Sequence, residues 1–401
     1  MTTDEPVYLD YQATTPVDPR VRDVMLPWFD EMFGNPHSSD HAYGWVAEQA
    51  VEDARGHIAK LIGAKPNEIT FTSGATEANN LAVKGTVRAI SSDRNHVVTC
   101  ATEHKCVLES CARLEREGFT VTYLPVEKSG LLDLDLLESA LNERTALVSI
   151  MMVNNEIGVI QPVTEIASLC ARVGALFHTD AAQAVAKIPI DVNAMGIDLL
   201  SISAHKLYGP MGIGALYVRQ KPKIKIEPLL DGGGQERGLR SGTVPAPLAI
   251  GFGEACRLGF KNIFEEADRI THLRDQFLAQ IFDSLDDVKL NGDLENRIPG
   301  NLNLSFPDID AQDLMMRLPS IALSSGSACT TSSVASSHVL QSIGVEKRLL
   351  HNAIRIGFGR FTVEKEVIFA AEEIIQAVLS LRNITQTYEK NYNGQNSISQ
   401  C

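Results

Sequence analysis

The chain has 401 residues, of which 44% are hydrophobic and 21% are charged, and its formal net charge at pH 7 is −14. At roughly 150 residues per domain, this length predicts two or three globular domains with a large core. The negative charge disfavours direct binding to nucleic acid or to an anionic membrane, because those ligands carry charge of the same sign.

The sequence contains no uninterrupted apolar run of ~18 residues or more, so it predicts no membrane-spanning helix. Its first residues, MTTDEPVYLDY, carry acids and lack the basic region that opens a secretion or import signal. The seven cysteines are odd in number and form no CxxC pair, which disfavours a disulfide framework or a zinc site. These features predict a cytoplasmic protein without a structural metal and without a membrane partner.

Short apolar runs alternate with amphipathic segments from about residue 45 to residue 250. Strands are predicted, in chain order, at 69–72, 96–100, 121–126, 146–153, 175–180, 198–203 and 212–219, and helices at 77–90, 105–118 and 164–174. Strands that alternate with helices indicate an α/β domain, with a mostly parallel sheet covered on both faces.

The pattern changes after about residue 260. A long amphipathic helix is predicted at 264–285, strands at 301–306 and 353–358, and a final helix at 364–384. This arrangement indicates a smaller α+β domain. The polar residues from Gln386 onward predict a flexible tail.

Residues capable of chemistry follow several predicted strands. In a parallel sheet the carboxyl ends of the strands meet at one edge, and ligands bind there. After the strand at 69–72, Gly74 frees a turn, and a helix begins at Ala75 and Thr76 with N–H groups that suit a phosphate. An ordinary capped helix start is the alternative interpretation.

Two later strand ends carry ionisable side chains. Asp180 ends one apolar strand and Gln183 follows it, so the carboxylate could cap a helix, bind a metal or serve a cofactor. Ser203, His205 and Lys206 follow the next strand. A lysine that leaves an apolar strand for a cleft loses hydration, which favours its neutral, nucleophilic form. A surface lysine in a loop is the alternative.

A glycine-rich segment, GGGQERGLRSGT, occupies residues 232–243. Its glycines, together with Arg237, Arg240 and Thr243, suit backbone contact with an anion. The segment lacks the GxxxxGK[ST] spacing of a nucleotide-binding loop, and a flexible linker is the alternative interpretation.

Taken together, the residues at the strand ends indicate one binding site. A phosphate cradle, a carboxylate and a nucleophilic lysine on successive strand ends describe a site for pyridoxal phosphate. Lys206 would form the Schiff base, and Asp180 would pair with the pyridine nitrogen and keep it protonated. The protonated ring withdraws electrons from the α-carbon of a bound amino acid.

A second reactive group is predicted at residues 324–333, SSGSACTTSS. Cys329 stands there among small and polar residues, whereas a cysteine kept for packing would have large apolar neighbours. Gly326 lowers the cost of backbone movement. The segment therefore predicts a thiol on an exposed tether, and the thiolate is its reacting form.

Motifs in order along almost the whole chain are YLDYQATTP, FGNPHS, TSGATEANN, TEHK, VNNEIG, DAAQ, SAHKLYGP, RSGT, SSGSACTT and IRIGFGRF. They resemble those of cysteine desulfurases of the housekeeping iron–sulfur-assembly and nitrogenase-maturation type. The resemblance implies the aspartate-aminotransferase fold, PLP fold type I, in a homodimer with active sites at the subunit boundary. It divides the chain into a large domain at 16–260, a small domain of 1–15 with 261–385, and a tail at 386–401.

The resemblance also implies which residues hold the cofactor. Lys206 binds pyridoxal 5'-phosphate covalently, Asp180 pairs with the pyridine nitrogen, and Gln183 hydrogen-bonds the ring hydroxyl. The phosphate is held by Ala75, Thr76, Ser203 and His205, and by Thr243 of the other subunit.

Three further residues are expected, by the same resemblance, to act on the substrate. His104 of TEHK stacks on the ring and shuttles protons. Asn155 orients the ring or the substrate, and Arg355 binds the substrate carboxylate, which suits a bidentate guanidinium. Taken alone, His104 could be an ordinary loop histidine and Arg355 a member of a surface ion pair.

The implied reaction removes sulfur from L-cysteine and leaves L-alanine and a persulfide on Cys329. The SSGSACTT form resembles the branch with a long mobile cysteine loop, which implies direct transfer to an iron–sulfur scaffold protein and to other acceptors such as tRNA-thiolating enzymes. The Cys329 sulfur could also ligate a cluster transiently. A selenocysteine lyase, an aminotransferase that does not use Cys329, and a non-catalytic partner protein are the alternatives.

Overall fold

The computed structural model describes residues 6–90, 93–325 and 336–398, with side chains described as far as residue 383. The strands are β1 Val7–Tyr8, β2 Ile69–Thr72, β3 His96–Cys100, β4 Thr120–Leu124, β5 Thr145–Ser149, β6 Leu176–Asp180, β7 Leu199–Ser203, β8 Gly214–Val218, β9 Lys289–Leu290, β10 Asn301–Ser305, β11 Ile321–Ala322 and β12 Ala353–Gly357. The helices are α1 Pro19–Met25, α2 Ala42–Leu61, α3 Ala75–Asn80, α4 Thr86–Ala89, α5 Lys105–Arg116, α6 Leu134–Ala140, α7 Val163–Val173, α8 Ala246–Ser284, α9 Ala311–Met316, α10 His338–Ser342 and α11 Glu364–Ile398.

The central sheet has seven strands in the order β2-β8-β7-β6-β5-β3-β4. Strand β8 is antiparallel to both of its neighbours, and the pairs from β7 to β4 are parallel. Most of these strands are buried along their full length, as expected for a sheet covered by helices on both faces. The predicted fold class, an α/β fold with a mostly parallel seven-stranded sheet, is confirmed.

Alternate residues of the central strands enter two separate hydrophobic clusters. Val98 and Leu200 belong to the larger cluster, whereas their neighbours Val97 and Leu199 belong to a cluster on the other face. Successive side chains of a strand point to opposite faces, so one run of apolar residues supplies both layers. The functional residues at the strand ends are therefore mounted on a rigid, doubly covered sheet.

Helix α8 begins at Ala246, well before residue 264, where the sequence pattern predicted a helix to start. Three glycines, Gly251, Gly253 and Gly259, weaken the helical pattern in this first part. The structure gives a packing reason for one of them, because a Cβ on Gly253 would lie 2.5 Å from the Cα of Ala54 in α2. The glycine thus permits close helix packing, which overrides its poor helix propensity.

The predicted helix at 77–90 is also interrupted. A π-helical turn, Leu81–Gly85, separates α3 from α4. A Cβ on Gly85 would lie 2.5 Å from the carbonyl oxygen of Glu227, so this turn also passes close to neighbouring backbone. The segment still begins at Ala75, where the phosphate-binding start was predicted.

A second core packs around the three-stranded sheet β12-β10-β9 and the pair β1-β11. It contains Val7 and Leu9 from the start of the chain, Phe277 from α8 and Ile374 from α11. Helix α8 contributes its first half to the core of the large sheet and its second half to this core. The proposed domain boundary at residue 260 falls inside this helix.

Helix α11 continues to Ile398 and so includes the first part of the segment predicted as a flexible tail. The mobility of that tail stays a prediction. In the part of the chain that the structure describes, no helix combines the length and the apolar character needed to cross a lipid bilayer.

Candidate active site

A cavity of about 530 Å³ lies at the carboxyl ends of the central strands. Ten of the predicted site residues line it, namely Ala75, Thr76, His104, Asn155, Asp180, Gln183, Ser203, His205, Lys206 and Arg355. The chain segments after β2, β3, β5, β6 and β7 all reach this space, as the rule for ligand sites in parallel sheets predicts.

The phosphate end of the predicted site is a cradle around Gly74. This residue has φ 151°, a backbone conformation that suits glycine, and it directly precedes the first residue of α3. The first N–H groups of a helix lack partners inside the helix. Ser203 lies across the cradle, since a Cβ on Gly74 would stand 3.9 Å from its Oγ. Helix N–H groups and a hydroxyl at one point suit a phosphate.

Lys206 lies in a short 3-10 turn that follows β7. Its Nζ donates to the carbonyl oxygens of Gln12 and Ala13, at 2.5 and 2.6 Å. Thr15 fixes the same segment against the lysine turn, because its N–H and its Oγ1 both donate to the carbonyl of His205. The start of the chain therefore holds the lysine in the cavity.

His205 lies beside the lysine and is held as a neutral ring. Its Nδ1 is 3.0 Å from Oγ1 of Thr14. Burial, with the nearby charges of Lys206 and Lys187, lowers the pKa of His205 to about 4. A neutral imidazole can donate one hydrogen bond to an anion without adding a charge to the site.

Asp180 is fixed by two hydrogen bonds at the end of β6. Its Oδ2 accepts from Nδ2 of Asn79 at 2.6 Å, and its Oδ1 accepts from the N–H of Ala182 at 2.9 Å. Asn79 is fully buried in α3, below the phosphate cradle. Sequence reasoning included Asn79 in a motif but gave it no role, because nothing in the spacing reveals its contact with Asp180.

His104 caps helix α5 from the edge of the cavity. The backbone N–H of Cys106 donates to its Nδ1 at 3.2 Å, and Sγ of Cys106 lies 3.0 Å from the same atom. An Nδ1 that accepts a backbone N–H carries no proton, so Nε2 carries the proton in the neutral ring. Burial lowers the pKa of His104 below its ordinary value, although the charge of Asp180 opposes this shift.

Gln183 is held at both ends of its side-chain amide. Its Nε2 donates to the carbonyl oxygen of Gln12 at 2.9 Å, the same oxygen that accepts from Lys206. Its Oε1 accepts from Nζ of Lys187 at 2.8 Å. The amide therefore has one favoured orientation beside the cavity.

Arg355 projects from β12 into the cavity from the smaller sheet. Its guanidinium donates to Oδ1 of Asp10 at 2.8 Å and to the carbonyl oxygen of Asn155 at 2.9 Å. Only 3% of Arg355 is exposed, and its buried Nε has no partner in the described part of the chain. A buried guanidinium with an unused N–H is suited to a carboxylate ligand.

Among the described residues, one predicted site residue is not in this cavity. Thr243 is exposed and lies outside the lining, so its predicted role in the other subunit's site stays a prediction. Cys329 lies outside the described residues. In the glycine-rich segment, Arg240 pairs with Glu77 at 2.9 Å and Arg237 donates to the carbonyl of Ile69, so both guanidinium groups contact protein.

The residues present fit pyridoxal 5'-phosphate. The helix start at Gly74 with Ser203 and His205 offers donors for a phosphate, and Asp180 offers an oriented carboxylate for a protonated pyridine nitrogen. Lys206 offers a primary amine in the same cavity. Each of these groups belongs to the described chain, and each matches a different part of the cofactor.

Comparisons with known proteins support this interpretation. The sequence model of the family Aminotransferase class-V matches residues 7–368. The chain is 54% identical over 385 residues to a probable mitochondrial cysteine desulfurase of Dictyostelium discoideum, covering 96% of this chain and 86% of that protein. It is 52% identical to the cysteine desulfurase IscS of Rickettsia bellii, covering 96% of this chain and 94% of that protein. The solved structure of a NifS-like protein superposes with a TM-score of 0.87 at 37% identity, covering 94% of this chain and 99% of that one.

Proposed function

The chain belongs to the class V aminotransferase family, and from its similarity to members named cysteine desulfurase we propose that it is a cysteine desulfurase. The proposed enzyme uses pyridoxal 5'-phosphate to take sulfur from L-cysteine, and it produces L-alanine and a persulfide on Cys329. The observation that carries the proposal is the meeting of Lys206, Asp180, His104 and Arg355 in one cavity of a chain whose relatives bear this name.

When bound, the cofactor supplies an electron-withdrawing ring that weakens bonds at the amino acid bound to it. The chain's own groups then have separate tasks. Asp180 is oriented to keep a positive charge on the ring nitrogen. Arg355 is placed to bind the substrate carboxylate, which fixes the direction of the sulfur.

Proton transfer is assigned to His104 and Lys206. His104 is neutral near pH 7 because burial lowers its pKa, so it can accept a proton and release it again. Its Nδ1 accepts the N–H of Cys106, so Nε2 carries the proton of the neutral ring, and the ring takes up a second proton at Nδ1 only when that contact opens. Lys206 lines the same cavity and is the second group able to move a proton there.

Cys329 completes the reaction as its nucleophile. The thiolate attacks the substrate sulfur, an S–S bond forms as the C–S bond breaks, and the electron pair stays with the carbon fragment, which is protonated to alanine. We propose that the persulfide then passes directly to an iron–sulfur scaffold protein and to other acceptors, including enzymes of tRNA thiolation.

A homodimer is part of the proposal, and an exposed apolar surface supports it. Large apolar side chains between residues 26 and 45 lie open to solvent, at 55% for Leu26, 61% for Phe29, 66% for Phe33, 58% for Tyr43 and 55% for Trp45. Phe33 and Tyr43 stack on each other at 5.4 Å. An apolar surface of this kind marks a contact with another protein. A second copy that covers it could also supply its exposed Thr243.

A reducing compartment is the proposed location, and the cytoplasm is the simplest one. All five cysteines in the described residues, Cys100, Cys106, Cys111, Cys170 and Cys256, are free thiols. Thiols stay reduced in such a compartment, whereas disulfides form and persist in an oxidising one.

Mass spectrometry after addition of L-cysteine tests the reaction. The purified protein is expected to be yellow, and the peptide that contains Cys329 is expected to gain one sulfur atom. Cys329→Ala is expected to abolish this mass shift and to reduce sulfide release by on the order of a thousand-fold, because the nucleophile is lost. Ser332→Ala, in the same segment, is the matched control and should retain activity.

Other outcomes identify the alternative functions. An aminotransferase or a selenocysteine lyase that does not use Cys329 would retain its turnover in Cys329→Ala. A non-catalytic partner protein would remain colourless after incubation with the cofactor. Either result would overturn the proposed desulfurase reaction.

A further inference from the structure

Lys187 is a partly buried lysine with no role in the reaction described above. Its Nζ donates to Oε1 of Gln183 at 2.8 Å. In the described part of the chain, no carboxylate forms an ion pair with it within 4.0 Å. Burial, together with the charges of Lys206 and Arg355, lowers the pKa of Lys187 to about 7, and Glu266 opposes the shift. A lysine without an ion-pair partner in such a position lowers the stability of the fold, so we expect a function that explains its presence.

The contacts of Gln183 define what Lys187 does. A side-chain amide can rotate by half a turn and exchange its oxygen and nitrogen positions. At Gln183, the carbonyl oxygen of Gln12 requires a donor on one side, and the amine of Lys187 favours an acceptor on the other. The two neighbours therefore select the orientation in which Nε2 remains on the side of the Gln12 carbonyl.

The same contacts connect Lys187 to the catalytic lysine. The carbonyl oxygen of Gln12 accepts from Nε2 of Gln183 and from Nζ of Lys206. Lys187 itself lines a separate small cavity of about 20 Å³ and is absent from the lining of the main cavity. Its hydrogen-bonded connection to the cofactor space therefore runs through Gln183.

We propose that Lys187 is a positioning residue, which fixes the Gln183 amide so that its N–H faces both the cofactor's phenolic oxygen and the Gln12 carbonyl. This inference rests on the cofactor site proposed above. Without Lys187 only the Gln12 carbonyl still selects this orientation, so the amide turns over more easily, and its oxygen then faces the phenolic oxygen of the ring. Two acceptors in contact repel each other, so the ring would lose a donor and be held less tightly.

The proposal predicts a spectroscopic shift in one direction. A donor to the phenolic oxygen and a nearby positive charge both disfavour the protonated form of the cofactor's link to Lys206. Lys187→Met removes both influences. The pKa obtained from the visible absorbance of the bound cofactor should therefore rise, by about half a pH unit or more.

The experiment is a pH titration of that absorbance in wild type, Lys187→Met, Gln183→Leu and the double variant. Lys187→Met should raise the absorbance pKa and weaken cofactor binding by roughly fivefold, which corresponds to about one hydrogen bond. In the Gln183→Leu background the same change should have a clearly smaller effect, since only the loss of the Lys187 charge remains once the amide is gone. Lys187→Arg keeps a charged donor, and the small adjacent cavity gives its larger group room, so it should restore the wild-type titration.

Lys84→Met is the matched control, because Lys84 is also partly buried and its pKa is also lowered by burial. It should leave the titration unchanged. An unaltered absorbance pKa in folded Lys187→Met, or an equal shift in both Gln183 backgrounds, would overturn the inference. Should Lys187→Met not fold, a titration of Lys187→Arg that differs from that of the wild type would overturn it as well. A colourless wild-type protein would instead refute the proposed function.

Discussion

Asp180, Ser203 and Lys206 stand at the ends of two neighbouring strands of the seven-stranded sheet, which has a hydrophobic cluster on each face. We call this part of the cavity the sheet wall. Arg355, by contrast, comes from the three-stranded sheet, and its carboxylate partner Asp10 is 345 residues away in the sequence. We call this second part the arginine wall. The sheet wall arises from local chain order, whereas the arginine wall exists only when both ends of the chain are folded together.

This difference suggests a division of tasks. The sheet wall carries the groups that suit the cofactor, and each polar contact there fixes an orientation in advance. The arginine wall carries the group that suits the substrate carboxylate. Changes on the first wall should therefore affect cofactor spectra, and changes on the second should affect mainly the substrate KM.

The largest effect is expected on the sheet wall, for Lys206→Ala. Loss of the amine removes the covalent link to the cofactor and one of the two groups that move protons. Desulfurase activity should fall by on the order of a thousand-fold or more, and the visible absorption band should disappear. Lys223 is an exposed lysine in a loop, so Lys223→Ala serves as the control and should keep both the desulfurase activity and the visible absorption band. Retention of the band in Lys206→Ala would contradict the assignment.

On the arginine wall, Arg355→Lys should have the next largest effect. A lysine keeps the charge but loses the planar fork that can contact a carboxylate, Asp10 and Asn155 together. The KM for L-cysteine should rise by roughly ten- to a hundredfold, or about 1.4–2.7 kcal/mol, with a smaller change in kcat.

The cofactor spectrum of Arg355→Lys provides the contrast with Lys206→Ala, since it should remain that of the wild type. Arg20→Lys is a suitable control, because this arginine is more than half exposed and its partner Asp18 does not line the cavity. A large change in the cofactor spectrum of Arg355→Lys would mean that the two walls are not separable.

The same comparison explains what the sequence could predict. The strands of the sheet wall are apolar runs followed by polar residues, so Asp180 and Lys206 could be placed at one edge from chain order alone. The contacts that hold these two side chains in place could not be predicted from chain order. Lys206 contacts the carbonyls of Gln12 and Ala13 across more than 190 residues, and no spacing rule encodes a contact at such a distance.

Short or glycine-containing elements escaped prediction for a related reason. Strands β1 and β11 have two residues each, too few to show a period, although together they bring the chain start to the smaller core. The early part of α8 was hidden by its glycines, of which Gly253 serves packing against α2. Tertiary contacts decided these elements, and such contacts are visible only in the fold.

Behind the sheet wall, Glu103→Gln should change the pH dependence of stability. Burial raises the pKa of Glu103 to about 8, and its Oε2 has no partner in the described part of the chain. The pKa of this carboxyl is higher in the folded state than in the unfolded state, where it is near 4.5. Below the unfolded pKa the carboxyl contributes its full stabilisation to the folded state, and this contribution is lost as the pH rises through the folded pKa.

Glutamine is neutral at every pH and so removes that dependence. The unfolding free energy of wild type, measured relative to Glu103→Gln, should decrease between pH 5 and 8 by up to about 1.4 kcal/mol per pH unit. Urea titrations of both proteins at several pH values give this difference. A difference in unfolding free energy that stays constant from pH 5 to 8 would show that Glu103 is already ionised in the folded protein.

The smallest effect is expected where the arginine wall meets helix α10. Ser337 caps this helix by accepting from the N–H of Leu340 at 3.1 Å, and its hydroxyl donates to the buried carboxyl of Glu156. Ser337→Ala should reduce the unfolding free energy by about 1 kcal/mol, the usual value of a helix cap. Ser336→Ala, the neighbouring hydroxyl outside this contact, should have a smaller effect.

The kinetics of Ser337→Ala then decide how far the arginine wall extends. Glu156 directly follows Asn155, whose carbonyl holds the guanidinium of Arg355, so a shift of Glu156 should be transmitted to the substrate carboxylate. A rise of a few-fold in the KM for L-cysteine, with an unchanged cofactor spectrum, is expected. If stability falls but the KM does not change, the Ser337 contact is a helix cap alone, and the arginine wall ends at Asn155.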